Sequence, residues 1–290
     1  MSKSTSARSL SVVQNTPADD APQSGFTSEA EKELSRKFME DGHVVVPVED
    51  LAALDRLRDA VASSATHWLD GKAPGAPGPL LDSIHARMGP TQVNDMRMSI
   101  INGLNTQDWV ARDYFSVARK TIESVVGNEL AMQRRLNLSV QMPGDDSSVL
   151  PVHADVWDGN SPFEVVLWVP LVDCYGTKAM FLLPPKANAQ HEADFRRFAD
   201  RSVEDLFKAI EPDVIWPEVR YGEAMVFALS LMHGNRVNFE AGTRWSFNCR
   251  FKSLFSPYGD KRLGEFFEPI TIRAATRMGM DYTHLEGFDE

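Results

Sequence analysis

Cysteine is nearly absent from this 290-residue sequence, which has two in all, Cys174 and Cys249. Two thiols cannot staple a disulfide scaffold or line a cysteine-built metal site; both are expected to be buried, reduced thiols. Long apolar runs are missing as well. The longest, 163–172, is about half of the roughly 20 residues a bilayer-crossing helix needs. The opening stretch MSKSTSARSLSVVQN holds no apolar core of the signal-peptide kind. Basic charge is in deficit: 30 Lys and Arg stand against 41 Asp and Glu, a net charge of −11. A general nucleic-acid binder needs the opposite balance, because it must replace phosphate counterions. Neither a GxGxxG nor a Walker spacing occurs, and no internal repeat is visible. The expectation is a cytoplasmic protein with no nucleic-acid partner and no transmembrane segment.

The remaining composition, 43% hydrophobic and 24% charged, is that of an ordinary globular chain. A chain of this length buries about three quarters of the surface its unfolded form exposes, enough for a substantial core. Residues 1–25, rich in Ser, Pro, Gln and Asp, read as a disordered tail. Residues 26–130 read as a helical brace. Ser28-x-x-Glu31 is a capping box, Ala30, Leu34 and Phe38 share a helical face, and Gly42 suits the stop. A short strand, 43–48, leads to a second amphipathic helix carrying Leu51, Leu54, Leu57 and Val61. The Gly- and Pro-rich stretch 71–80 is expected to be a loop, as is 94–97. A third helix is expected from a cap at Asp108 as far as Gly127.

From about 131 to 256 the texture changes to short β-type runs: 136–142, 163–172, 179–183, 223–231 and 244–251. One helical insertion, about 192–210, interrupts them, and 257–290 form a C-terminal extension. Helices followed by many short strands predict an α+β, mainly β architecture, a sandwich or barrel braced by helices. Two runs alternate strictly. Asn137, Ser139 and Gln141 share one face of the first, and Arg244, Ser246, Asn248 and Arg250 share one face of the last. Such rows face solvent in ordinary antiparallel sheets or line the inside of a barrel.

The motifs between those runs bear on the choice. His153-Ala154-Asp155 sets an imidazole and a carboxylate two residues apart, so an extended segment directs both to one face. His233 closes the apolar run 224–231, 78 residues beyond Asp155. Two histidines and one carboxylate form the facial set that leaves half of an octahedron open in non-haem Fe(II) oxygenases. Arg244 follows His233 by eleven residues, with Ser246 two further on. A guanidinium fork beside a hydroxyl suits the far carboxylate of a dicarboxylic keto acid.

With these motifs in place, residues of about 131–255 resemble the double-stranded β-helix core of Fe(II)/2-oxoglutarate-dependent dioxygenases, in particular the phytanoyl-CoA hydroxylase-like branch. Val165-Val166-Leu167-Trp168-Val169-Pro170-Leu171-Val172-Asp173 resembles that branch's Trp-, Leu- and Asp-containing strand. Tyr221-Gly222-Glu223 resembles its lead-in to the distal histidine, while Thr177-Lys178 departs from its usual Asn-Gly hairpin. The stretches 137–148, 159–166, 267–270 and 275–280 are further similar to bacterial 2-oxoglutarate oxygenases found sporadically in surface-carbohydrate biosynthesis clusters.

The resemblance implies a double-stranded β-helix, or jelly-roll, cupin-like fold. It also implies Fe(II) held by His153, Asp155 and His233, with 2-oxoglutarate and O2 as co-substrates. Arg244 and Ser246 are the implied holders of the 5-carboxylate, with Gln141 and Asn137, and Ser139 beside them, as further co-substrate contacts. Trp157, Arg97, Lys178 and Arg250 are candidate substrate contacts. The implied reaction hydroxylates a C–H bond of a small polar substrate, a sugar or a carrier-bound, surface-carbohydrate-related metabolite. Halogenating relatives replace the carboxylate with a small residue, so Asp155 favours hydroxylation. Hydroxylation or desaturation of an amino acid or another natural-product intermediate is the alternative, and a non-catalytic jelly-roll binding module is a third reading. The remaining histidines are assigned ordinary structural places, and Asp145-Asp146 a solvated turn.

Overall fold

The computed structural model describes residues 25–69 and 75–283. Nearly all of the tail expected at 1–25, part of the expected loop at 71–80, and His284 lie outside the described residues. Helix α1 (Glu29–Asp41) begins at the expected capping box, with the Ser28 side chain accepting from the Glu31 N–H. It ends at Gly42 in the left-handed conformation, φ 70°. A Cβ there would lie 2.4 Å from Leu231 Cδ1, so glycine serves both the turn and the close packing behind it. Strand β1 (His43–Pro47) and helix α2 (Leu51–Trp68) follow, α2 burying Leu54, Leu57 and Val61 on one face.

The next stretch corrects the sequence reading twice. Helix α3 (Pro77–Asp82) and helix α4 (Pro90–Leu104) stand where loops were expected, so the 94–97 segment is helical. Each has proline in its first turn, where the missing N–H costs nothing because it has no intrahelical acceptor. The helix expected from Asp108 to Gly127 is two: α5 (Asp108–Ser116), with Gln107 rather than Asp108 at the N-cap position and no side-chain cap, and α6 (Arg119–Val125). Ala118 breaks them, at φ −145° and ψ 33°.

Strands β2 (Leu130–Gln133), β3 (Asn137–Gln141), β4 (Glu164–Pro170) and β5 (Phe181–Leu182) precede the helical insertion. The insertion begins earlier than expected, as α7 (Pro185–Ala193) and α8 (Val203–Ile210) with a 3-10 turn at Phe195–Phe198. Strands β6 (Glu223–Ala228), β7 (His233–Gly234), β8 (Arg244–Ser253) and β9 (Phe267–Thr271) follow, and helix α9 (Ala274–Met280) comes last. A seven-stranded sheet runs β1-β6-β4-β8-β2-β9, with β3 also paired to β8; β5 and β7 form a small second sheet. Every strand pair is antiparallel. The fold is therefore the expected one, helices bracing an antiparallel jelly-roll core. No helix among the described residues is long and apolar enough to cross a membrane.

Strand β8 organises the molecule. Trp245, Phe247, Cys249 and Phe251 are buried on one side, in one core cluster with Leu54, Leu57, Ile101 and Tyr114 of the helices. The Tyr114 ring packs against Phe247 and Phe251 at 6.1 and 6.4 Å, and the Trp245 indole N–H donates to the Leu81 carbonyl at 2.8 Å. The Tyr114 hydroxyl donates to the Leu167 carbonyl at 2.5 Å, so the polar ends of both buried aromatics are satisfied. With the apolar row committed to the helices, alternation turns Arg244, Ser246, Asn248 and Arg250 inward. Both cysteines are free and buried, as expected.

Candidate active site

The backbone brings the two histidines face to face. The His153 N–H donates to the His233 carbonyl at 3.0 Å, and the His233 N–H returns the bond at 2.8 Å. This bridge sets the rings 4.2 Å apart, centroid to centroid. It requires Gly234, because a Cβ at that position would lie 2.7 Å from the Leu150 carbonyl oxygen and 2.9 Å from that of Pro151. Asn235 ties the same segment down, its Oδ1 accepting from the Leu150 N–H at 2.6 Å. Neither Gly234 nor Asn235 was singled out from sequence, though a Gly-Asn pair directly after a candidate ligand marks a tight approach.

The ring tautomers follow from the acceptors. His153 Nδ1 lies 2.9 Å from the Pro151 carbonyl and His233 Nδ1 lies 2.8 Å from that of Leu231. A carbonyl only accepts, so each Nδ1 carries the proton and each Nε2 keeps a free lone pair. Burial, with His153 alongside, holds the His233 imidazole well below its usual range, at about 4, so it is neutral near pH 7. Asp155 Oδ1 lies 3.7 Å from His153 Nε2. Ligand atoms of His153, Asp155 and His233 all fall within 4.8 Å of one another, and no other such cluster occurs among the described residues.

The other carboxylate oxygen is taken. Arg250 reaches Asp155 Oδ2 with Nε at 3.1 Å and Nη2 at 2.8 Å, and its Nη1 donates to Gln133 Oε1 at 3.0 Å. The fork fixes which oxygen faces the histidines. The Asn160 amide adds a bond to the Asp155 carbonyl at 2.9 Å. Sequence spacing carries no trace of this arrangement, since Arg250 and Asp155 are 95 residues apart.

Beside the triad, β3 and β8 pair Gln141 with Arg244, Ser139 with Ser246 and Asn137 with Asn248. The first two rungs are underused. Gln141 Oε1, Arg244 Nε and Ser246 Oγ are buried without a hydrogen-bond partner. Arg244 Nη2 donates to Ser139 Oγ at 3.0 Å and Nη1 to the Ala179 carbonyl at 3.4 Å, but no carboxylate meets it. Burial lowers its pKa from the usual arginine value to about 10. Buried polar atoms ordinarily find partners, and the orphaned donors Arg244 Nε and Ser246 Oγ suit an anion, whereas Gln141 Oε1 only accepts. The third rung is open to the cavity: Asn137 Nδ2 donates to Asn248 Oδ1 at 3.0 Å.

A cavity of about 640 Å³ joins these groups. Val166, Trp168, Met180 and Phe227 give it an apolar wall, and α4 closes it with Asn94 and Arg97. Arg97 donates to the Leu138 carbonyl at 3.1 Å and to Asn94 Oδ1 at 2.7 Å. Two expected contacts are not brought there. Trp157 is 43% exposed and packs on Phe195, centroids 5.1 Å apart, outside the cavity. Lys178 is 2% exposed and pairs with Asp82, since a buried ammonium keeps its charge only beside an anion. Ser246 and Gln141 lie behind the cavity wall. Asp145 is buried and accepts from the Ser147 N–H at 3.0 Å, which corrects the solvated turn for that residue, while Asp146 is exposed as expected.

No protein-family model matches the sequence, and no curated protein matches it. Solved structures do share the fold. The nickel complex of ThoJ, a non-heme monooxygenase, is 17% identical, covers 84% of this chain and 85% of its own, and has a TM-score of 0.52. AviO1 from Streptomyces viridochromogenes Tue57 is 16% identical over 80% of this chain and 99% of its own, at TM-score 0.52. The apo form of EctD from S. alaskensis is 15% identical over 84% and 81%, at TM-score 0.50. At such identities the likeness is one of fold.

Proposed function

We propose that this chain is a non-haem Fe(II)/2-oxoglutarate-dependent oxygenase that hydroxylates a C–H bond of a small, polar, sugar-like substrate. One observation carries the reading: two Nε2 lone pairs and one carboxylate oxygen converge beside a buried arginine that lacks an anion. Nitrogen and oxygen donors of this kind fit ferrous iron, and three ligands leave positions open. The shared fold with a non-heme monooxygenase supports the same reading. When bound, Fe(II) and 2-oxoglutarate supply with O2 the oxidising power of the reaction, leaving succinate and CO2 as co-products.

His153 and His233 would hold the metal through Nε2, and Asp155 through Oδ1. Arg250 keeps Oδ2 engaged, so the carboxylate presents one oxygen and the open positions stay open. Arg244 and Ser246 would receive the far carboxylate of the keto acid, satisfying the orphaned Nε and Oγ. Phe227, Val166 and Met180 give the cavity an apolar wall, and a low-dielectric surround strengthens charge pairing. The hydroxyl- and amide-rich floor, together with the similarity of segments 137–148 and 159–166 to the surface-carbohydrate group, supports a sugar-like substrate.

The test loads the protein anaerobically with Fe(II) and 2-oxoglutarate, follows the visible metal-to-ligand charge-transfer band, and then admits air with a panel of sugars, nucleotide-sugars and amino acids. The expected result is a band that D155A lacks and succinate release stimulated by a carbohydrate member. A D155A protein that keeps both band and turnover overturns the metal assignment, and stimulation by amino acids alone overturns the sugar-like substrate.

A further inference from the structure

The charges lining the cavity are few, and the oxygenase reading assigns a partner to all but one. Among the described residues the lining holds one carboxylate, Asp155, against three arginines, Arg97, Arg244 and Arg250. The cavity is thus a cationic exception inside a chain of net charge −11. Arg250 is neutralised by Asp155. Arg244 is sealed, at 3% exposure, and reserved for the co-substrate. Arg97 remains. Both of its hydrogen-bond partners, the Leu138 carbonyl and Asn94 Oδ1, are neutral oxygens, and no carboxylate lies within ion-pair distance.

Its position is defined by the β3–β8 ladder. Gln141 and Ser246 lie behind the cavity wall, their rung partners Arg244 and Ser139 line it, and the rung Asn137–Asn248 lines it with both residues. Asn248 lies four residues along the strand from Arg244, about 13 Å at ordinary strand rise. Arg97 is tied to the carbonyl of Leu138, between the open rung and the middle one. Its neighbour Asn94 sits one turn back on α4, on the same face. The Asn137–Asn248 bond uses one donor and one acceptor, which leaves the Asn248 amide N–H2 and Asn137 Oδ1 for a ligand. A fixed guanidinium beside such amides recognises an oxyanion flanked by hydroxyl groups.

We propose that Arg97 is the anion subsite of the substrate, so that the molecule oxidised here is a negatively charged, hydroxyl-rich small molecule such as a sugar phosphate or a uronic acid. The inference rests on the oxygenase reading of the same cavity and names its substrate class. The phosphate or carboxylate seats on Arg97 and Asn94, the adjacent hydroxyls meet Asn137 and Asn248, and the rest of the ring extends toward the metal ligands.

The test titrates the full chain, with Mn(II) and saturating 2-oxoglutarate, against glucose, glucuronate, glucose 1-phosphate and glucose 6-phosphate. At least one anionic sugar is expected to bind about tenfold or more tighter than glucose, as a charge-assisted bond would give. Arg97→Gln should remove that advantage and Arg97→Lys should keep part of it, with 2-oxoglutarate affinity unchanged in both. Asn248→Asp sets a carboxylate on the floor and should weaken the anionic sugars more than it weakens glucose. Equal binding of neutral and anionic sugars, no binding of any anionic sugar, or full anion preference in both Arg97→Gln and Asn248→Asp overturns the proposal. A chain that binds neither Mn(II) nor 2-oxoglutarate overturns the oxygenase reading instead, and the same titration of the metal-free protein still decides on Arg97.

Discussion

Arg244 and Arg250 leave the same face of the same strand, six residues apart, and the molecule treats them in opposite ways. Arg250 is bound twice to Asp155 and once to Gln133. Arg244 touches only a hydroxyl and a carbonyl, and its Nε has no partner. A buried charge left unpaired is costly, whereas a buried charge beside an opposite one is expensive mainly to disturb. Strand alternation brings both cations indoors; the partner supplied by a distant loop decides which is structural and which is left to a ligand.

The largest effect should come from removing the ligand-facing arginine. Arg244→Leu is expected to weaken 2-oxoglutarate binding by about 2–5 kcal/mol, the usual loss when one side of a buried charge pair is truncated. The same substitution should raise the unfolding temperature of the ligand-free protein, because it deletes an uncompensated charge. Titration and thermal unfolding in the absence of 2-oxoglutarate read the two signs. A lower unfolding temperature would place a hidden partner on Arg244 and erase the contrast.

Arg250→Leu should give the opposite pattern. It abandons Asp155 in a buried setting, at a cost of about 3 kcal/mol of stability, and loosens a metal ligand's orientation, worth roughly 10–100-fold in metal affinity. The affinity of the metal-loaded protein for 2-oxoglutarate should stay nearly constant. Mn(II) titration with urea unfolding tests this, and a variant with unchanged metal affinity would remove Arg250 from the site. Gly234→Ala follows in size. Its methyl would meet two backbone oxygens within 3 Å, an overpacking cost of about 1–3 kcal/mol, and it should pull the His153–His233 bridge apart before it touches the arginines.

The contrast between the arginines also measures what the sequence made legible. The Arg244–Ser246 row follows from a spacing of two on strand β8, which survives folding because the strand period is fixed, and His153 and Asp155 follow from the same spacing although Asp155 itself opens a 3-10 turn. The capping box at Ser28 was equally local. What escaped depends on partners far along the chain. Lys178 is occupied by Asp82, 96 residues away, and Arg250 by Asp155. Arg97 was expected on a loop. Pro90 instead opens helix α4, and tertiary packing against β3 carries Arg97 into the cavity. Local pattern singled out the proposed ligands, while long-range pairing decided which charges stay available.

The smallest expected effect asks whether the charge of Arg250 is shared with a second carboxylate. Glu164 is 2% exposed, its Oε1 accepts from the Ser161 N–H at 2.8 Å, and its Oε2 has no partner. Burial raises its pKa from 4.5 to about 7, against the opposing pull of that N–H, Arg250 and Lys252. The folded protein therefore holds a proton between pH 4.5 and 7 that the unfolded chain has released. Stability must fall as pH rises through that window and stay reduced above it, by on the order of 1–3 kcal/mol. Glu164→Gln keeps the acceptor for Ser161 and removes the titration, so it should match the wild type near pH 4.5 and exceed it at pH 8. Combined with Arg250→Leu, the wild-type loss should grow, because an attractive cation no longer offsets burial. If urea unfolding at the two pH values shows the same loss with and without Arg250, the guanidinium is committed to Asp155 alone.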